Sequence, residues 1–156
     1  MENITFPLAI QQRVLPSYRI PFFDALASEC RQGLHLIAGQ PGRDESLECN
    51  ALPTLAQFTR TTNFHLFQGK WYLCWQKGLV VWLKSIQPDA FILEANPRYL
   101  SSYSAIRWMK ARNRTVIGWG LGSPPGGSGW SGLRLNWRKN FIRQLDGLIT
   151  YSRKGA

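Results

Sequence analysis

Apolar positions along this chain fall into short runs separated by stretches of helical spacing. Residues 6–15, FPLAIQQRVL, are apolar on both sides of a polar patch, Gln11-Gln12-Arg13, and predict a first strand that ends before Pro16. Pro21 then opens a helix with an apolar stripe of Phe22, Phe23, Leu26 and Ala27, because proline's missing N–H would be unpaired in a first helical turn anyway. Gly33 is expected to stop that helix. LHLIA at 34–38 predicts a short buried strand, and GQPGRDESLECNALP at 39–53 a polar loop. Two extended stretches, 62–67 and 70–73, flank Gly69 as a hairpin. Trp75, Leu79, Trp82, Leu83 and Ile86 recur on one face of a helix that closes before Pro88.

FILEA at 91–95 predicts a strand whose end presents Glu94, Asn96 and Arg98, followed by a helix over 99–112 and a strand, TVIGWG, over 115–120. GLGSPPGGSGWSG at 120–132 is a loop rich in Gly, Ser and Pro. Beyond it, Trp130, Leu133, Trp137 and Phe141 mark the inward face of a further helix. A last strand follows at 145–151, and Ser152 begins another helix start.

Strands alternating with helices predict an α/β fold: one doubly wound, mostly parallel, Rossmann-like sheet with helices on both faces. Ligands of such sheets collect beyond the carboxyl ends of the strands, where helix N-termini also direct their N–H groups. The functional edge is therefore expected to hold Tyr18 and Arg19, residues 94–98, residues 118–123, and Tyr151 with Ser152.

The chain has 156 residues, suited to one domain spanning 1–156, and a formal charge of +10 that favours phosphates, nucleic acid, anionic lipid or nucleotide diphosphates. Three cysteines, Cys30, Cys49 and Cys74, show no paired metal-ligand spacing, which indicates neither a disulfide framework nor a zinc site and fits a reducing cytosol. The N-terminus lacks the pattern of a signal peptide, and no window approaches the length of a membrane span, so the domain is expected to be soluble or peripheral. No metal or cofactor is expected.

Three ordered blocks, RVLPSYRIPFFDAL, PDAFILEANPRYLSSYSAIRWMKARNRTVIGWGLG and LDGLITYSRKGA, resemble the amino-terminal domain of family 4 (group 1) glycosyltransferases of the two-domain GT-B fold. The resemblance implies a retaining sugar transferase. This half would bind a glycan or lipid-linked acceptor, and a carboxyl-terminal partner domain would bind most of the nucleotide-sugar donor. It also implies a role in polysaccharide biosynthesis, and that residues 1–156 alone do not transfer sugar. Related enzymes often carry His in the loop corresponding to WGLGS, where this sequence has Leu121. The glycine-rich backbone approach survives there, without an imidazole.

The residues assigned to substrate binding are Tyr18, Arg19, Glu94, Asn96, Arg98, Gly120, Gly122 and Ser123, and no catalytic residue is assigned. Each has a plainer alternative. Tyr18-Arg19 either faces an acceptor or phosphate, or Tyr18 packs under the first helix while Arg19 is solvated. Glu94, Asn96 and Arg98 either orient sugar hydroxyls or supply a base, or they cap the next helix and form a local ion pair. GLGSPPGGSG lacks the full dinucleotide fingerprint and a GK[ST] ending, and either lines a cleft or is a surface linker. His35 and His65 lack partners at metal-ligand spacing and read as structural.

Arg134, Arg138, Lys139 and Arg143 form a basic face that is either simply solvated or meets anionic lipid or a lipid-linked diphosphate, placing the protein in the cytoplasm, peripheral on the inner face of the membrane. The competing function is a non-enzymatic basic module for nucleic acid or another polyanion. On the transferase reading no nucleic acid is expected.

Overall fold

The computed structural model describes residues 3–120 and 131–151. A central sheet is built from β1 (Leu8–Val14), β2 (Leu34–Gly39), β3 (Gln57–Arg60), β6 (Ala90–Glu94), β7 (Thr115–Gly120) and β8 (Gly147–Thr150). Its six strands lie in the order β3-β2-β1-β6-β7-β8, and every neighbouring pair is parallel. Between β3 and β6 the chain adds an antiparallel hairpin of β4 (Asn63–Leu66) and β5 (Leu73–Gln76), then α2 (Leu79–Ile86). The other helices are α1 (Ile20–Ser28), α3 (Leu100–Lys110) and α4 (Ser131–Ile142).

This is the doubly wound, Rossmann-like α/β fold, and its strand order explains why helices cover both faces. From β1 the chain builds outward through α1 to β2 and β3, then returns to the far side of β1 and builds the other way through β6, β7 and β8. Crossovers of one constant hand then put the two sets of helices on opposite faces. Accordingly, Ile20, Phe23 and Ala27 of α1 pack with Leu8, Ile10, Leu34 and Leu36. On the other face Leu79, Trp82 and Leu83 of α2 and Ala105, Ile106 and Met109 of α3 pack with Ala9, Ile37, Phe91, Leu93 and Val116. Alternation along β1 sends Leu8 and Ile10 one way and Ala9 the other. Fully buried Phe23, Phe91 and Phe141 contribute about 1.5–3 kcal/mol each.

Four elements differ from expectation. Helix α1 ends at Ser28, and Gly33, with φ 87°, instead makes the turn into β2. The hairpin exists, but a 3-10 turn at Gly69–Trp71 occupies the start of the expected second strand, which runs instead from Leu73 to Gln76. Trp75 consequently lies in β5, paired with Phe64, and α2 begins only after Gly78 takes a left-handed conformation (φ 73°). In α4, Phe141 is buried and packs edge-on to Tyr103 at 5.1 Å, but Leu133 is 72% exposed and Trp137 is also exposed. The helix enters the core only through its last turn, so the expected inward face is real at Phe141 and absent at Leu133. Trp130 lies outside the described residues.

A buried amide network fastens the hairpin to the end of β1. Gln76 Nε2 donates to the Gln12 carbonyl at 3.0 Å and to Asn63 Oδ1 at 3.2 Å, while Gln11 Nε2 donates to Gln76 Oε1 at 3.0 Å. Asn63 Nδ2 donates to the carbonyls of Arg13 (2.7 Å) and Gln40 (2.9 Å). The polar patch that interrupts the first strand is therefore buried and paired, the condition under which amides are tolerated in a core.

Candidate functional site

The strand order reverses between β1 and β6, and the carboxyl ends of those strands place Arg13 and Glu94 at the reversal, the position where open α/β sheets form a ligand crevice. Proline 16 and Pro21 bracket a 3-10 turn, Ser17–Arg19, that turns the chain across this edge into α1. Tyr18 is 73% exposed at the turn, so it does not pack under α1. Arg19 is half-buried and committed: Nη1 donates to Gln12 Oε1 at 2.6 Å and Nη2 to the Tyr151 hydroxyl at 3.3 Å.

An aromatic wall surrounds that guanidinium. Its central carbon stands 5.7 Å from the Trp119 ring centroid and 5.8 Å from that of Tyr18. Trp119, at the end of β7, contacts Phe22 at 5.5 Å and Tyr151 at 6.0 Å between centroids. Three chain segments thus meet at Arg19: the loop after β1, the end of β7 and the residue after β8. A cation set against aromatic faces, with phenol hydroxyls at its rim, suits a ligand carrying both hydroxyls and a negative charge.

Glu94 lies on the adjoining side. Its backbone N–H donates to Gln11 Oε1 at 3.1 Å. Burial pushes its carboxyl above the usual Glu range, opposed by the Arg13 N–H, the charges of Arg13 and Arg19, and the Tyr99 hydroxyl. Burial likewise raises Tyr99, helped by the charge of Glu94, and pushes Tyr72 up to about 12. Arg13 binds Glu45 through two parallel hydrogen bonds of 2.7 and 2.8 Å, and this pairing keeps its guanidinium charged against the desolvation it suffers. The same pair draws Glu45 below the usual carboxylate range.

Asn96, Arg98 and Gly120 also shape the backbone at this edge. Asn96 Oδ1 accepts from the Arg98 N–H at 3.1 Å and the Asn96 carbonyl accepts from the Tyr99 N–H at 3.1 Å, making Asn96 the turn residue before α3. The Arg98 carbonyl accepts the Cys74 N–H at 2.9 Å, tying the loop to the hairpin. A Cβ on Gly120 would stand 3.3 Å from Ala95 Cβ, so this glycine allows β7 to approach the loop after β6. Gly122, Ser123 and Ser152 lie outside the described residues, as does Leu121. His65 is held by the Tyr72 hydroxyl at 2.9 Å through Nδ1, and His35 is lowered by burial in β2. Among the described residues, no three His, Cys, Asp or Glu side chains gather as a metal site would require.

Four residues at this edge carry no motif: Gln12, Arg13, Tyr99 and Trp119. Trp119 falls within the stretch 118–123 expected at this edge, Gln12 and Arg13 are signalled by the break in apolar pattern at Gln11-Gln12-Arg13, and Tyr99, the residue before α3, has no such signal. Fold and edge together define a doubly wound α/β protein whose carboxyl edge, at the topological switch point, sets Arg19 against aromatic rings. Comparison of the chain with protein families, curated proteins and solved structures finds no match.

Proposed function

We propose that this chain is the acceptor-side, amino-terminal domain of a GT-B glycosyltransferase. In this role it binds a glycan or lipid-linked acceptor, to which the two-domain enzyme joins a sugar from a nucleotide-sugar donor with retention of configuration. The observation that carries the reading is the convergence of Arg19, Trp119, Tyr151 and Glu94 on one carboxyl edge, at the reversal of strand order. Aromatic faces suit the apolar face of a sugar ring, amides and phenols suit its hydroxyls, and Arg19 suits a phosphate or carboxylate on the acceptor. Glu94, with its carboxyl raised by burial, is the group at this edge suited to exchange a proton or hold a hydroxyl.

The donor belongs mainly to a second domain in this reading, and closure of the two excludes water that would hydrolyse it. The test is transfer from a panel of labelled nucleotide sugars to glycan and lipid-linked acceptors, using the complete protein and its Arg19→Ala variant. Turnover that falls in the variant supports the assignment. No turnover across the panel, together with salt-sensitive binding of oligonucleotides, gives the protein to the polyanion-binding alternative.

A further inference from the structure

The β4–β5 hairpin alternates in the reverse of the usual sense. Asn63, Cys74 and Gln76 face the sheet and are buried, whereas Phe64, Leu66 and Trp75 face solvent. Register places Phe64 opposite Trp75 and Leu66 opposite Leu73, so the outward side chains form one apolar surface across both strands. The surface continues at the tip, where Phe67 is 68% and Trp71 72% exposed. Phe67 also holds a left-handed backbone (φ 60°), a conformation unfavourable for an aromatic residue and one that tends to accompany function. Contiguous apolar surface of this kind marks an interaction site.

Charge identifies the occupant. From 49 to 88 the chain contains no Asp or Glu, and its charged residues are Arg60, Lys70, Lys77 and Lys84. Lys70 sits in the tip beside Trp71, and Lys77 directly follows β5. Tryptophan and phenylalanine flanked by lysines, with no carboxylate among them, match the headgroup boundary of an anionic bilayer: rings enter the interface while ammonium groups meet lipid phosphates. A second copy of this chain is disfavoured by its own +10 charge, and a polyanion alone gives Phe64 and Leu66 nothing to bury against. We propose that the hairpin docks this protein on anionic lipid, tip first, as a peripheral contact. Among the described residues no helix is long and apolar enough to cross a membrane.

The docking stands independently of sugar transfer, and its test contains no donor or acceptor. The full chain is floated with vesicles of phosphatidylcholine alone or mixed with phosphatidylglycerol. Binding is expected only with phosphatidylglycerol, and it should weaken as salt rises. The double variant Phe67→Ser/Trp71→Ser is expected to lower partitioning at least about tenfold, and Lys70→Glu/Lys77→Glu by a similar factor. Circular dichroism and thermal melting check that each variant is folded, and Trp75→Ser replaces the tip variant if that one is not. Arg134→Glu/Lys139→Glu in α4 should leave partitioning unchanged. Wild-type protein left in the aqueous fraction, undiminished binding by a folded tip variant, or loss of binding only in the α4 variant would overturn the proposal.

Discussion

Arg19 and Tyr151, 132 positions apart in sequence, meet through a 3.3 Å hydrogen bond from guanidinium to phenol, with Trp119 beneath both. The loop after the first strand and the end of the last are joined there by one side chain. Replacing Arg19 with Ala removes the fork and leaves Gln12 Oε1 and the Tyr151 hydroxyl without this donor. If the proposed transferase reading holds, kcat/KM for acceptor is expected to fall about 10- to 100-fold, the worth of one or two charge-assisted hydrogen bonds. Arg19→Lys should recover little, because an ammonium cannot hold Gln12 and Tyr151 while lying on Trp119. Steady-state kinetics with varied acceptor checks both, and unchanged kinetics would remove Arg19 from the cleft.

Glu94 gives a prediction in which stability and function move oppositely. Its carboxyl is raised by burial, so the ionised form is disfavoured in the folded protein. Below the ordinary Glu value of 4.5 both folded and unfolded chains hold the proton and nothing is lost; as pH rises through that value the folded state is progressively penalised. Glu94→Gln removes the penalty. Its melting temperature is expected to exceed that of the wild type at neutral pH, with the difference vanishing near pH 4, while acceptor use falls. Thermal melts across pH decide it, and a variant less stable at neutral pH would show that the ionised carboxylate holds the loop together.

Much of the fold was legible because its strands are short apolar runs bounded by Pro or Gly, as at Pro16, Pro88 and Gly33. The hairpin boundary was harder to read because Trp75 and Leu79 are spaced as on a helix, yet Gly78 resets the backbone between them. Strand β3, QFTR, was missed altogether: as an edge strand with one half-buried side chain, Phe58, it carries no apolar alternation. At the site, Tyr18, Arg19 and Glu94 could be placed from the rule that strand ends hold ligands. Asn96 and Arg98 share that position, and their backbones with Asn96 Oδ1 also form the turn into α3, a contact that residue type alone does not reveal.

Asp24 ties α1 to the end of the long polar loop. Its carboxylate accepts the Leu55 N–H at 2.8 Å, the Thr54 N–H at 3.0 Å and the Thr54 hydroxyl at 2.9 Å. Those donors, the Leu55 N–H foremost, draw its pKa below the ordinary value of 3.8. A depressed carboxyl stabilises the fold above the unfolded value, and the contribution disappears as pH falls through the folded one. Asp24→Asn should therefore destabilise by about 1 kcal/mol at neutral pH, allowing for solvent screening, and by progressively less as pH falls below 3.8 through the lowered folded value. Parallel acid titrations of the two proteins followed by circular dichroism measure the difference, and a pH-independent gap would assign the effect to neutral hydrogen bonding.

Gly118 and Gly120 lie on the same strand two residues apart, and the space around them ranks their tolerance to a methyl group. A Cβ at Gly118 would come within 2.5 Å of Leu145 Cδ1, 3.1 Å of Leu148 Cδ1 and 3.0 Å of Ala95 Cβ. The two leucine methyls can swing aside, but Ala95 Cβ moves only with its backbone, and that backbone follows Glu94 at the cleft. Gly120 would meet the same Ala95 Cβ at 3.3 Å, a contact relieved by a shift of a few tenths of an ångström. Gly118→Ala is therefore expected to destabilise by about 1–3 kcal/mol, lowering Tm by about 2–4 °C for each kcal/mol, and Gly120→Ala by clearly less. Because the displaced loop carries Glu94, Gly118→Ala should, on the proposed transferase reading, also impair acceptor use. Melting curves that rank the two variants equally would show that close approach to Ala95 is not what demands glycine on this strand.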